Sequence, residues 1–162
     1  MIAVGARLPD VTFKVMSAEG PKDMKTAEIF GGKTVALFAV PGAFTPTCHA
    51  KHVPSYVANH DALKAKGVDT IACTSVNDVF VLNEWSKATG SQGKITMLAD
   101  GGAAFAKGIG LEVDLTGPGL GMRSRRYAML VKDGVVNAMN IEEAPGKMEK
   151  SSAEELLKAL QG

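Results

Sequence analysis

Residues 35–40, 70–74 and 127–131 are apolar at nearly every position rather than at every second one, and are rich in residues that favour strands. A strand with one wet face alternates, so unbroken apolar runs of this length predict central strands covered on both sides. Between the first two runs, Val53, Tyr56, Val57 and Leu63 recur at helical spacing along residues 46 to about 66, and Gly67 supplies a stop. The unit is strand, helix, strand, and its two strands are expected to be parallel. Pro54 inside the helix predicts a kink or local irregularity, because it offers no N–H and crowds the preceding turn.

Beyond Cys73, Asn77-Asp78 can cap a helix reaching about residue 88, with Val79, Val81, Leu82 and Trp85 available for its buried face and Thr89-Gly90 breaking it. A further strand fits residues 95–98. The strongest hairpin signal is residues 127–131, then Lys132-Asp133-Gly134, then residues 135–141, since Asp-Gly accepts the positive backbone angles of a tight turn. Ser152-Ala153-Glu154-Glu155 reads as a capping box opening a terminal amphipathic helix that carries Leu156, Leu157 and Leu160. Together these elements predict a three-layer α/β domain whose mixed sheet is parallel in the middle and ends in a hairpin plus helix.

Length and composition narrow the function classes. The 162 residues are expected to form a single domain spanning 1–162, and 46% hydrophobic with 22% charged residues is ordinary for a soluble globular protein. Eighteen basic against seventeen acidic side chains leave a net charge of +1, which gives no footprint for nucleic acid or an anionic membrane surface. The longest strongly apolar run, residues 35–40, is far short of the roughly 20 residues that cross a bilayer, and no basic-then-apolar signal segment opens the chain. A cytoplasmic location is the expectation, with a plastid or mitochondrion as the alternative if a transit peptide was removed. Two cysteines, Cys48 and Cys73, are too few for the disulfide framework of a small secreted protein.

Local sequence singles out Cys48. Thr45 can serve as N-cap and Pro46 as first helical residue, which sets Cys48 about three residues into the helix. Orphan N–H groups and the macrodipole there favour a thiolate over a thiol, and so a nucleophile. The competing reading is a small packed hydrophobe. For Cys73, inside the apolar run Ile71-Ala72-Cys73-Thr74, packing is the better reading. The two cysteines are 73 − 48 = 25 residues apart, one strand-helix-strand unit, but a bridge requires Cα atoms within about 7 Å. His49, His52 and His60 share the helix. With Cys48 they suggest a zinc cluster or a Cys-His hydrolase with His52 as base, but no second cysteine, clear carboxylate or third orienting residue completes either set, so surface or hydrogen-bonded histidines are favoured. Arg123-Ser124-Arg125-Arg126 reads as a solvated basic loop, of which one arginine, at a strand edge facing a helix start, could stabilise a thiolate.

The run Pro41-Gly42-Ala43-Phe44-Thr45-Pro46-Thr47-Cys48, followed by His52-Val53-Pro54, resembles the active-site segment of the type II peroxiredoxins, a small atypical group with a thioredoxin-like fold. Similar segments continue in order as Ser75-Val76-Asn77-Asp78 with Phe80-Val81 and Trp85, Leu98-Ala99-Asp100-Gly101, Gly119-Leu120-Gly121 and Arg123-Ser124-Arg125-Arg126-Tyr127, so the resemblance covers about residues 3 to 160. It implies a thiol peroxidase acting on hydrogen peroxide and alkyl hydroperoxides. By position, Cys48 is the peroxidatic cysteine, Thr45 binds the peroxide, Arg126 polarises it and holds the thiolate, and Pro41 shields the pocket. No metal or organic cofactor is implied. Some relatives carry a resolving cysteine near the carboxyl end, where this chain has Met148-Glu149-Lys150-Ser151-Ser152. The resemblance therefore points to the plant and algal branch, with glutathione and glutaredoxin, or thioredoxin, as reductant, Cys73 as a possible secondary redox cysteine, and a homodimer.

Overall fold

The computed structural model describes residues 1–161. In chain order the elements are β1 (Thr12–Ser17), β2 (Gly20–Lys25), α1 (Thr26–Phe30), β3 (Thr34–Ala39), a π turn (Cys48–His52), α2 (Val53–Ala58), α3 (His60–Ala65) and β4 (Thr70–Ser75). There follow α4 (Val79–Ala88), β5 (Thr96–Ala99), α5 (Ala104–Gly108), β6 (Glu112–Leu115), β7 (Gly121–Ser124), β8 (Tyr127–Lys132), β9 (Val135–Ile141) and α6 (Ala153–Gln161).

Seven strands form one mixed sheet in the order β2-β1-β5-β4-β3-β8-β9, while β6 and β7 pair separately. The three central strands, β5, β4 and β3, run parallel, and β1 and β8 join them antiparallel on either side. Strand alternation then divides the core. Ala36, Phe38, Ile71, Cys73, Ala128 and Leu130 face one side with residues of α2, α3, α4 and α6. Val35, Leu37, Ala72, Met129 and Val131 face the other with Ile29 and Phe30 of α1 and Phe105 of α5. Two separate apolar faces explain why these strands read as continuous runs. The outcome is the expected thioredoxin-like, three-layer arrangement.

The Asp-Gly hairpin forms as its residues dictate, with Lys132 opposite Val135 and positive φ at Asp133 (48°) and Gly134 (77°). On α4, Asp78 caps by accepting the Val81 N–H at 2.8 Å. Val79, Leu82 and Trp85 are buried as expected, while Val81 is only half-buried. At α6 the capping box is half made. Ser152 Oγ accepts the Glu155 N–H at 3.3 Å, but the Glu155 carboxylate pairs with Lys158 instead of turning back.

The helix over residues 46 to 66 is not continuous. Helical backbone begins at Pro46, then widens into the π turn, where the Val53 N–H reaches back five residues to the Cys48 carbonyl. Pro54 follows at once, and its missing N–H and bulky ring are accommodated by this widened register. A second break falls at Asn59 (φ −104°, ψ 13°), whose Nδ2 donates to the Ser55 carbonyl at 2.8 Å and closes α2.

Candidate active site

The backbone leaves β3 into a loop that lies close under two side chains. A Cβ built on buried Gly42 would stand 3.0 Å from Arg123 Nη1 and 3.1 Å from Thr45 Cγ2, so a larger residue would push one of them away. Phe44 takes a left-handed conformation (φ 64°) and leaves its ring 51% exposed. Ala43 N–H donates to Asn77 Oδ1 at 3.0 Å, tying the loop to the segment after β4. Thr45 stands at the N-cap through its backbone, with its carbonyl accepting the His49 N–H at 2.9 Å. Its hydroxyl does something else: Oγ1 lies 2.6 Å from the Gly42 carbonyl and 2.9 Å from Cys48 Sγ, so its one proton can be given to either.

Arg126, at the entry to β8, supplies the second donor to the sulfur. Its Nη2 is 3.0 Å from Cys48 Sγ, across 78 positions of sequence. The rest of the guanidinium is held in place. Nε and Nη2 donate to the Pro145 carbonyl at 3.1 and 2.9 Å, and Nη1 donates to His52 Nδ1 at 2.9 Å. Because an arginine has only protons to give, His52 Nδ1 must be the bare nitrogen, and Nε2 carries the proton that it donates to the Ser151 carbonyl at 2.9 Å. Tyr56 donates its hydroxyl to the same carbonyl at 2.9 Å.

Electrostatics agree with this assignment. Burial, and then the Arg126 charge, lower the His52 pKa from 6.5 to about 3 against the opposing pull of the Ser151 carbonyl, so the ring is neutral. Both of its nitrogens are occupied and neither is bonded to Cys48. A Cys-His hydrolase with His52 as base therefore has no support in this geometry. His49 is likewise engaged: Nδ1 accepts the Trp85 indole N–H at 3.0 Å and its ring stacks on Phe44.

The structure thus brings Thr45, Cys48 and Arg126 together around one sulfur. Pro41 is buried at the base of the loop, where its carbonyl accepts a long 3.4 Å bond from Arg123 Nη1. Arg125 turns to the Glu142 carbonyl at 3.2 Å. Cys73 sits in β4 on the same face of the sheet as Cys48, buried and free, and burial followed by the nearby Cys48 pushes its thiol well up. Sequence reasoning did not foresee the loop after β9. Its one signal was His52, a polar side chain four residues after Cys48 on a buried helical face.

A family model described as Redoxin matches residues 3–157. The chain belongs to the redoxin family, and within it to the type II peroxiredoxins. It is 48% identical over 163 residues to peroxiredoxin-2E, chloroplastic, of Arabidopsis thaliana, covering 98% of this chain and 69% of that one. Peroxiredoxin-2C of Oryza sativa subsp. japonica is 46% identical over 160 residues, covering 98% of each. Reduced Prx3 from Vibrio vulnificus in complex with H2O2 superposes with a TM-score of 0.94 at 51% identity, over 99% of each chain. The protein is a thiol peroxidase that takes a hydroperoxide substrate and a thiol reductant.

Proposed function

We propose that Cys48 is the peroxidatic cysteine of a single domain spanning residues 1–162, assisted by Thr45 and Arg126 and shielded by Pro41. The observation that carries this is the pair of donors at 2.9 and 3.0 Å on one buried sulfur, contributed by segments far apart in sequence. Two N–H or O–H groups aimed at sulfur favour the thiolate, and the fixed Arg126 charge reinforces them without reorganising during reaction.

The Cys48 thiolate attacks the terminal oxygen of the hydroperoxide, forming an S–O bond as the O–O bond breaks. The sulfur becomes a sulfenic acid, and the departing oxygen leaves as alkoxide or hydroxide and takes a proton to become alcohol or water. The Thr45 proton, free to turn from the Gly42 carbonyl, can bond the peroxide oxygen. Arg126 stabilises the negative charge spreading over the breaking bond.

An external thiol then condenses with the sulfenic acid, and a second thiol releases Cys48. Glutathione with glutaredoxin, or thioredoxin, fills this role in our reading, because residues 148–152 offer no cysteine and Cys73 is packed in a central strand. A homodimer is the proposed assembly, with the exposed Phe44 ring on the active-site loop available to it. For location we keep the cytoplasm, with a plastid or mitochondrion as the alternative, since relatives include chloroplastic and mitochondrial proteins.

Hydrogen peroxide consumption, followed with glutaredoxin plus glutathione and separately with thioredoxin, tests the assignment. Cys48→Ser should abolish turnover and Cys73→Ser should retain it. Turnover surviving in Cys48→Ser would sink the reading.

A further inference from the structure

Glu142 lies just past β9 and is 2% exposed, with no arginine or lysine bonded to its carboxylate. Its Oε2 instead accepts four bonds: the N–H groups of Glu149, Lys150 and Ser151 at 2.9, 2.7 and 2.6 Å, and the Ser151 hydroxyl at 2.6 Å. Successive N–H groups converging on one anion make a nest, and here the anion belongs to the chain itself. Burial alone would raise this carboxyl, but the donated bonds outweigh it and hold the group below its ordinary range.

The backbone of Glu142 grips the other side of the site. Its N–H donates to the Arg126 carbonyl at 3.0 Å, and its own carbonyl accepts Arg125 Nη2 at 3.2 Å. One residue therefore joins the entry of β8 to the far end of the segment 142–151. Three carbonyls within that segment do the holding. Pro145 takes two bonds from the Arg126 guanidinium, Gly146 takes the Thr47 hydroxyl at 3.0 Å, and Ser151 takes His52 and Tyr56. No hydrogen bond joins Glu142 to the sulfur, so it can act on the sulfur only through the shape of this segment.

We propose that Glu142 is a positioning residue for the peroxidase reaction: its carboxylate folds the segment 142–151 over the helix start and thereby aims Arg126 at Cys48. This rests on the reading of Cys48 and Arg126 given above. Without the anion, the converging N–H groups lose their common acceptor and the Pro145 and Ser151 carbonyls shift. Misplacing a catalytic group by about 1 Å from a distance can cost about 10²-fold in rate.

The test uses the full chain and compares Glu142→Gln with Glu143→Gln, whose carboxylate holds only the exposed Lys150. Two readouts are taken on folded protein at pH 7: the second-order rate with hydrogen peroxide and the ultraviolet absorbance of the Cys48 thiolate in a Cys73→Ser background. Glu142→Gln should slow peroxide reduction by about 10²-fold and lower the thiolate absorbance, with Glu143→Gln unchanged in both. A folded Glu142→Gln with wild-type rate and absorbance overturns the proposal, as does an equal loss in Glu143→Gln. Should Glu142→Gln not fold, Ser151→Ala removes one donor and leaves the three N–H groups; a several-fold loss in both readouts supports the proposal and no loss overturns it. Cys48→Ser in the same assay separates the two layers: peroxide turnover persisting there refutes the parent reading, whereas a silent Glu142→Gln refutes only this one.

Discussion

Cys48 and Cys73 are buried to the same extent, each 0% exposed, free of any disulfide and packed in the same apolar cluster. Their polar surroundings are nevertheless opposite. Cys48 has an alcohol and a guanidinium at hydrogen-bond distance, while the one polar contact of the Cys73 sulfur among the described residues is a 4.0 Å approach to the Thr74 carbonyl, an acceptor. An acceptor favours S–H and donors favour a bare anion, and this difference at equal burial is what supports the proposed contrast between an inert Cys73 and a nucleophilic Cys48. Position in the fold reinforces the difference. Cys48 lies beneath a loop at a helix start, whereas Cys73 stands in β4 between β3 and β5.

The widest gap between the two should appear in alkylation with iodoacetamide. Cys48 stands at a helix start beside the loop that carries the exposed Phe44, whereas the Cys73 side chain points from a central strand into the apolar layer under α2, α3, α4 and α6, so reaching it means lifting those helices off the sheet. Modification of Cys73 in native protein should be at least about 10³-fold slower than that of Cys48, and the two rates should converge in denaturant. Peptide mapping over time measures it, and similar native rates would break the contrast.

Next in size is the loss of the charged donor. Arg126→Ala should cut the hydrogen peroxide rate by about 10²- to 10³-fold, the usual effect of removing one preorganised donor, while Arg123→Ala does less. Equal losses in rate and thiolate absorbance would show that the sulfur does not distinguish the two arginines.

The smallest effect concerns the fold rather than the chemistry. His52 has a pKa of about 3 in the folded protein against 6.5, so the unfolded chain takes up the proton first as pH falls. The stabilisation is complete above about pH 6.5 and is lost as pH falls toward 3, which makes the protein on the order of 2 kcal/mol less stable at pH 5 than at pH 7. Glu142, depressed below 4.5, loses its contribution only at lower pH. Urea unfolding at both pH values should show a smaller drop in His52→Asn, and an unchanged drop would remove His52 as its cause.

Local pattern revealed β3, β4, β8, the Asp133-Gly134 turn and the Asp78 cap, because each is specified by residues within a few positions of one another. It was silent on β2, whose Pro21, Lys22 and Lys25 suit an exposed sheet edge and carry no apolar period, and on the small β6–β7 pair. The helix start at Cys48 was legible from Thr45 and Pro46. The choice of Arg126 came from family resemblance, since no local rule separates it from Arg123 or Arg125. The bonds that fix it, to Pro145 and His52, span 19 and 74 positions, and Glu142 meets its donors inside an irregular loop where neither helical nor strand periodicity operates.

The same long reach bears on biosynthesis. Cys48 leaves the ribosome well before Arg126, and Ser151, the partner of His52, follows 99 positions after that histidine. A nascent chain that stops short of these segments holds Cys48 with Thr45 near in sequence but no guanidinium beside it. On the role proposed for Cys48, its full peroxide reactivity therefore awaits the segment through Ser151, the last part of the site to be synthesised.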